Sequence, residues 1–270
     1  MFEPQQTIKK ARINVILVLI GVTIAINSVI IFSADPELKN YFGNIFRPVT
    51  ASAATWLALV VVYRQKACGV FGRSYAALGA GLVMYLIAEL IWGYYSVVLG
   101  IEVPFPSPAD AFWLAAYVPF GYGLFTLSRL YSRQNKRMIT LVVSMAVAVF
   151  SVFYIQGLLS VADLADPEAI TPLAISIAYP ILDGILIIPA VVAVLSAGKG
   201  YLTSIPWIFI SWIFTALADS LFGYAAVTNI AGDFSIWNLF YNAAYLTMAA
   251  GLFWHNKYMI FDEKTIKARL

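Results

Sequence analysis

Ala88-Glu89-Leu90-Ile91-Trp92-Gly93-Tyr94 returns 130 residues later as Ala218-Asp219-Ser220-Leu221-Phe222-Gly223-Tyr224, a shared pattern of A-[ED]-x-[IL]-[WF]-G-Y. Upstream, Pro48-Val49 matches Pro180-Ile181 at an offset of 132. Downstream, Asp110-Ala111-Phe112-Trp113-Leu114-Ala115-Ala116-Tyr117 matches Asn238-Leu239-Phe240-Tyr241-Asn242-Ala243-Ala244-Tyr245 at 128, and Gly123-Leu124-Phe125 matches Gly251-Leu252-Phe253. The matches keep their order while the offset shrinks, as expected when loops shorten between duplicated helices. The pattern predicts two halves, 1–134 and 135–270, each with four helices in the same in-out sense. Together they form one integrated domain, a parallel repeat about an axis near the membrane normal.

Composition sets the solvent for those helices. The chain is 61% hydrophobic, 15% aromatic and 11% charged, with a mean hydropathy of +0.83, whereas soluble domains carry about a quarter charged residues. Apolar runs of roughly 18 to 25 residues separate short charged clusters, and that length crosses about 30 Å of hydrocarbon as a helix. The runs predict spans at 13–32, 46–63, 74–99, 108–128, 138–159, 171–196, 204–228 and 235–254. The fold class is therefore all-α, a polytopic bundle of about eight transmembrane helices; a β-barrel would show alternating segments of about ten residues. Lys9, Lys10 and Arg12 ahead of an apolar run mimic a secretory signal, but Phe32-Ser33-Ala34 lacks the small-x-small cleavage pattern, so the run is read as the first helix.

Basic residues set the orientation, because Lys and Arg of short loops stay on the cytoplasmic side. Of the 17, fifteen fall on one side: Lys9, Lys10, Arg12, Arg64, Lys66, Arg73, Arg129, Arg133, Lys136, Arg137, Lys199, Lys257, Lys264, Lys267 and Arg269. Lys39 and Arg47 fall on the other, beside acids such as Asp163 and Asp233. The asymmetry predicts a multi-pass protein of the cell membrane with both termini in the cytoplasm.

Several chemistries are excluded by inventory. A single cysteine, Cys68, rules out an intramolecular disulfide, and His255 alone makes no metal site. His255 beside Trp254 and Lys257 reads as an interfacial anchor. No span carries the lysine a retinal Schiff base needs, and phosphate-cradling glycine loops and a G-x-S-x-G elbow are missing. No cofactor and no metal are expected, and without a basic, aromatic-interleaved patch no nucleic acid partner is expected either.

Four carboxylates lie within or at the edge of spans: Glu89, Asp110, Asp183 and Asp219. An ionised carboxylate in hydrocarbon costs roughly 2.5 to 3.5 kcal/mol on insertion scales, so such groups face a bundle interior. Glu89 and Asp219 are repeat partners, each about fifteen residues, or about 22 Å, from the cytoplasmic end of its helix. Polar and aromatic residues recur around them at helical spacing: Tyr85, Glu89, Trp92 and Ser96; Asp110, Trp113 and Tyr117; Asn238, Tyr241, Asn242 and Tyr245. Arg47 is a counter-ion for Asp110 or Glu89. The expected ligand-binding set is Arg47, Trp92, Asp110, Tyr117, Asp183, Asn238, Tyr241, Asn242 and Tyr245, an outward-facing polar pocket with aromatic walls. The competing reading makes the same groups purely structural, as interhelical hydrogen bonds in a solvent that gives no hydrophobic drive. Ser107 and Pro108 read as the N-cap and first turn of the fourth helix. Pro48, Pro119, Pro180 and Pro189 are expected to kink their helices, and Gly79 and Gly81 to permit close helix contact.

Two families resemble the chain at these residues. Pro106-Ser107-Pro108-Ala109-Asp110 with Tyr117, and Tyr179-Pro180-Ile181-Leu182-Asp183, look like motifs of the multi-helix membrane regions that precede bacterial diguanylate cyclase or kinase domains. That resemblance implies a sensory or ligand-binding membrane module. More remotely, Arg47-Pro48-Val49-Thr50, Ala88-Glu89 and Ala218-Asp219 are similar to motifs of the lysoplasmalogenase-like eight-helix family. It implies vinyl-ether hydrolysis with Glu89 and Asp219 as catalytic acid and base. The chain departs from that family at Ala116, where a histidine would stand, and at Glu89, where an aspartate would.

The reading that follows is an integral membrane protein acting as a ligand-binding or sensory module, or as a subunit of a membrane complex. The partners expected are membrane lipid, a small amphipathic ligand, and a second copy or a complex partner. The alternatives are the lysoplasmalogenase-like hydrolase and a small-solute transporter drawing on Asp183.

Overall fold

The computed structural model describes residues 5–33, 35–131, 136–162, 164–196, 205–228 and 236–260. Both extreme termini, the 134/135 division between the expected halves, and Arg133, Asp163, Lys199, Asp233, Lys264, Lys267 and Arg269 lie outside the described residues.

Eight α-helices make up the described chain: α1 (Gln5–Phe32), α2 (Pro36–Gln65), α3 (Gly69–Gly93), α4 (Pro108–Tyr131), α5 (Lys136–Val161), α6 (Pro167–Ser196), α7 (Ile205–Thr228) and α8 (Trp237–Trp254). Single π-helical turns extend α3 through Val98 and α8 through Met259. No strand is present among the described residues. The chain is a multi-pass membrane protein: seven of these helices, α1 to α7, are long and apolar enough to cross a membrane. The eighth misses on composition for a physical reason. Asn238, Tyr241, Asn242 and Tyr245 are all buried, so α8 turns its polar groups to other helices rather than to lipid, and a helix sheathed by protein needs little apolar surface.

Local signals explain the helix ends. The helix α2 starts ten residues before the apolar run, because Asp35 caps it by accepting from the Glu37 N–H at 2.9 Å and Pro36 occupies its first turn. Polar residues of that first stretch, Glu37, Lys39, Asn40 and Asn44, read as loop from hydropathy alone. For α4, Ser107 and Asp110 form a capping box. Ser107 Oγ accepts from the Ala109 N–H at 3.2 Å, while Asp110 Oδ2 accepts from the Ser107 N–H at 2.7 Å. Pro48, Pro119, Pro172, Pro180 and Pro189 sit inside their helices.

Consecutive helices pack antiparallel. Arg47 meets Glu89 while Thr55 meets Leu82 between α2 and α3, and Tyr241 meets Asp219 while Ser211 meets Met248 between α8 and α7. Two further contacts are parallel. Arg47 reaches Asn238 and Thr50 reaches Asn242 between α2 and α8; Tyr179 reaches Asp110 and Tyr117 reaches Asp183 between α6 and α4. Gly81 makes the α3–α4 seam possible, since a Cβ there would stand 2.7 Å from the Phe120 ring. By contrast, α1 and α5 are almost wholly peripheral, with 6% of their apolar windows buried, and turn most of their side chains outward.

At the end of the bundle opposite Asp110, the anchor expected at His255 is instead a buried contact. Its ring stacks on Tyr75 with centroids 4.0 Å apart. Nδ1 pairs with the Tyr75 hydroxyl at 2.9 Å and Nε2 with Gln65 Oε1 at 2.7 Å. Burial pushes its pKa down to about 4. An unfolded imidazole titrates near 6.5, so folding disfavours the proton: stability is full above about pH 6.5 and falls as pH drops toward 4, by up to about 3 kcal/mol. Melting temperatures in detergent between pH 7.5 and 4.5 are expected to show that decline, and His255→Gln to flatten it.

Candidate functional site

Arg47, on α2, is 2% exposed, and Glu89, on α3, is fully buried. Arg47 Nη2 donates to Glu89 Oε1 at 2.9 Å, and Nη1 to Asn238 Oδ1 at 3.4 Å. The guanidinium also lies against three rings, 4.5 Å from the centroid of Tyr241, 5.5 Å from Trp92 and 5.7 Å from Trp113. Tyr245 donates to the same Glu89 oxygen at 2.8 Å. Of the two counter-ions open to Arg47, the fold takes Glu89. Placing Arg47 inside the bundle also removes it from the tally of loop charges, leaving Lys39 alone on that side among the described residues.

A second acid cluster joins α4, α6, α7 and α8. The Tyr117 hydroxyl lies 2.7 Å from Asp183 Oδ1 and 3.3 Å from Asp219 Oδ2. Tyr241 donates to Asp219 Oδ1. Asp183 and Asp219 thus share the Tyr117 hydroxyl between them. Asp110 belongs to neither cluster: besides its capping role, its Oδ1 accepts from Tyr179 at 2.8 Å.

Between these groups runs a narrow cleft lined by Arg47, Tyr85, Trp92, Asp110, Trp113, Tyr179, Asp219, Phe222 and Tyr241. It lies toward the end of the bundle where α3 closes and α4 and α8 begin. The space left between these side chains is about 20 Å³, room for about one water molecule. Its walls are mostly aromatic: Trp92 packs on Trp113 and on Phe222 with centroids 5.7 and 5.5 Å apart. The indole N–H of Trp92 is held by Asn44 Oδ1 at 3.2 Å.

Of the residues expected to bind ligand, Arg47, Trp92, Asp110 and Tyr241 line this cleft, and Asp219, expected only as a catalytic residue of the hydrolase alternative, lines it too. Tyr117, Asp183 and Asn238 stand behind it as partners of the lining groups, and Tyr245 lies behind them as the partner of Glu89. Asn242 accepts from Thr50 at 3.2 Å and joins α8 to α2. Glu89 also stands behind Arg47 rather than on the cleft, so the two residues expected as acid and base do not face one space. Four lining residues fall outside both the ligand-binding and the catalytic sets: Tyr85, Trp113, Tyr179 and Phe222. In the expected repeat, Tyr179 would occupy the position of Arg47 at the offset of 132, and Phe222 that of Trp92 at 130. Among the described residues no cluster of three or more His, Cys, Asp or Glu is placed to hold a metal ion. No protein-family model, curated protein or solved structure matches the chain.

Proposed function

We propose that the chain is a ligand-binding, sensory-type membrane module that takes a small amphipathic ligand in the cleft. The observation that carries this reading is the cleft's make-up: the charged groups Arg47, Asp110 and Asp219 lined up with indole, phenol and phenyl rings, inside a bundle whose exterior is apolar. A polar or charged headgroup would settle against Arg47 and Asp219, with its apolar part against Trp92, Trp113 and Phe222. The test is a titration of detergent-purified protein with a single-chain zwitterionic phospholipid, followed by tryptophan fluorescence. A saturable change that is lost in Trp92→Ala and weakened in Asp219→Asn is expected; a non-saturating response shared by all variants would refute the reading. Aldehyde release from a lysoplasmalogen in the same samples would favour the hydrolase alternative instead.

The four-plus-four duplication, with residues 1–134 and 135–270 as halves, belongs to the same proposal. Its support is that hydrogen bonds recur in register. Arg47 to Asn238 corresponds to Tyr179 to Asp110, and Tyr245 to Glu89 corresponds to Tyr117 to Asp219. Each of these four contacts links one half to the other.

The orientation proposed, eight crossings with cytoplasmic termini in the cell membrane, puts the α2–α3 connection inside. Cys68 is in that connection, exposed, and the sequence has no other cysteine. A membrane-impermeant maleimide is therefore expected to leave the protein unlabelled in intact cells and to label it in inverted vesicles; labelling of intact cells would reverse the topology.

A further inference from the structure

Asp183 and Asp219 face each other across α6 and α7, 3% and 8% exposed. Their four oxygens need donors, and the neighbourhood supplies too few. Tyr241 serves Asp219 Oδ1. Tyr117 has one hydroxyl hydrogen for both Asp183 Oδ1 and Asp219 Oδ2. Asp183 Oδ2 is buried without a partner, although Asp183 and Asp219 meet at one hydroxyl. Two carboxylates have no hydrogen to share between them unless one is a carboxylic acid. Charge points the same way. The other titratable groups facing the pair are phenols, namely Tyr85 on α3, Tyr117 on α4, Tyr154 on α5, Tyr179 on α6 and Tyr241 on α8. The cation that faces it, Arg47 on α2, is already paired with Glu89.

We propose that Asp183 and Asp219 form a single proton-binding site, in which one proton is held between the two carboxyls and Tyr117 donates to the pair. Asp219 lines the cleft, so the proton exchanges with water there, and Asp183 has its exit through Asp219. Like charges this close cannot both persist in a low-dielectric interior, which is why one proton and not none is the resting load. The site does not require that the cleft bind an organic ligand, and so it stands or falls separately from the proposed function.

Infrared spectroscopy of the full chain in lipid nanodiscs at pH 7 tests this directly. The wild type is expected to show the C=O stretch of a protonated carboxyl that shifts in D2O. Asp183→Asn and Asp219→Asn should each remove or displace that band, whereas Glu89→Gln should leave it in place. Asn brings its own N–H donors to the position, so both variants keep a bonded pair. If either one does not fold, Tyr117→Phe replaces it: loss of the shared donor should displace the band. A wild-type spectrum without the band overturns the proposal. So does a band that a folded Asp variant or Tyr117→Phe leaves unmoved, or one that moves only with Glu89→Gln.

Discussion

Arg47→Met is expected to lower the free energy of unfolding by about 3 to 5 kcal/mol, the usual cost of stripping one partner from a buried ion pair. Glu89 would then be a carboxylate with no counter-ion, fully enclosed, left with the Tyr245 hydroxyl as its donor. Its second oxygen already lacks a partner in the intact protein, so there is no spare hydrogen bond to absorb the loss. The double substitution Arg47→Met/Glu89→Met should recover most of the deficit. Two apolar side chains remove both charges and leave no uncompensated group, whereas each single change leaves one. Melting curves in a common detergent check the order wild type, double variant, single variant. If the single variant melted with the wild type, water would have to reach Glu89, and the sealed interior on which both acid clusters depend would be absent.

Hydropathy and charge located the helices because a membrane leaves few alternatives for an apolar run of that length. They missed the first turns of α2, where Asp35 and Pro36 start a helix among polar residues that hydropathy scores as loop. The site was partly legible for a similar reason. A carboxylate in a span must be shielded, so Glu89, Asp183 and Asp219 could be assigned to the interior before any neighbour was known. Spacing within one helix could not say which residue of another helix would meet them. Arg47 suited Asp110 and Glu89 equally, and the α4 capping box decided the matter by occupying Asp110 with Ser107. Tyr179 escaped because a tyrosine carries no burial penalty to flag it. Its importance shows only when it stands at the register position of Arg47 and donates to Asp110 as Arg47 donates to Asn238.

The second large effect lies on the α4–α6–α7 side of the bundle, where Tyr179 and its neighbours bring together phenols, carboxyls and a dense aromatic layer. Phe120 is central to that layer: 1% exposed, edge-on to Tyr85 and Trp212 with centroids 5.0 and 4.8 Å away, and seated over Gly81. Phe120→Ala is expected to cost about 3 kcal/mol, toward the low end of the range for buried phenylalanine in soluble proteins. Lipid chains are as apolar as the ring, so the transfer contribution is small and what remains is the dispersion lost around the cavity. Phe153→Ala, at a ring 69% exposed on the peripheral helix α5, should be nearly neutral by the same argument. Unfolding of both variants in matched lipid–detergent mixtures measures the difference. Equal losses at the two positions would mean that burial against protein confers nothing beyond burial in lipid, and that the aromatic layer behind Tyr85 and Tyr117 is not what keeps the acid pair in register.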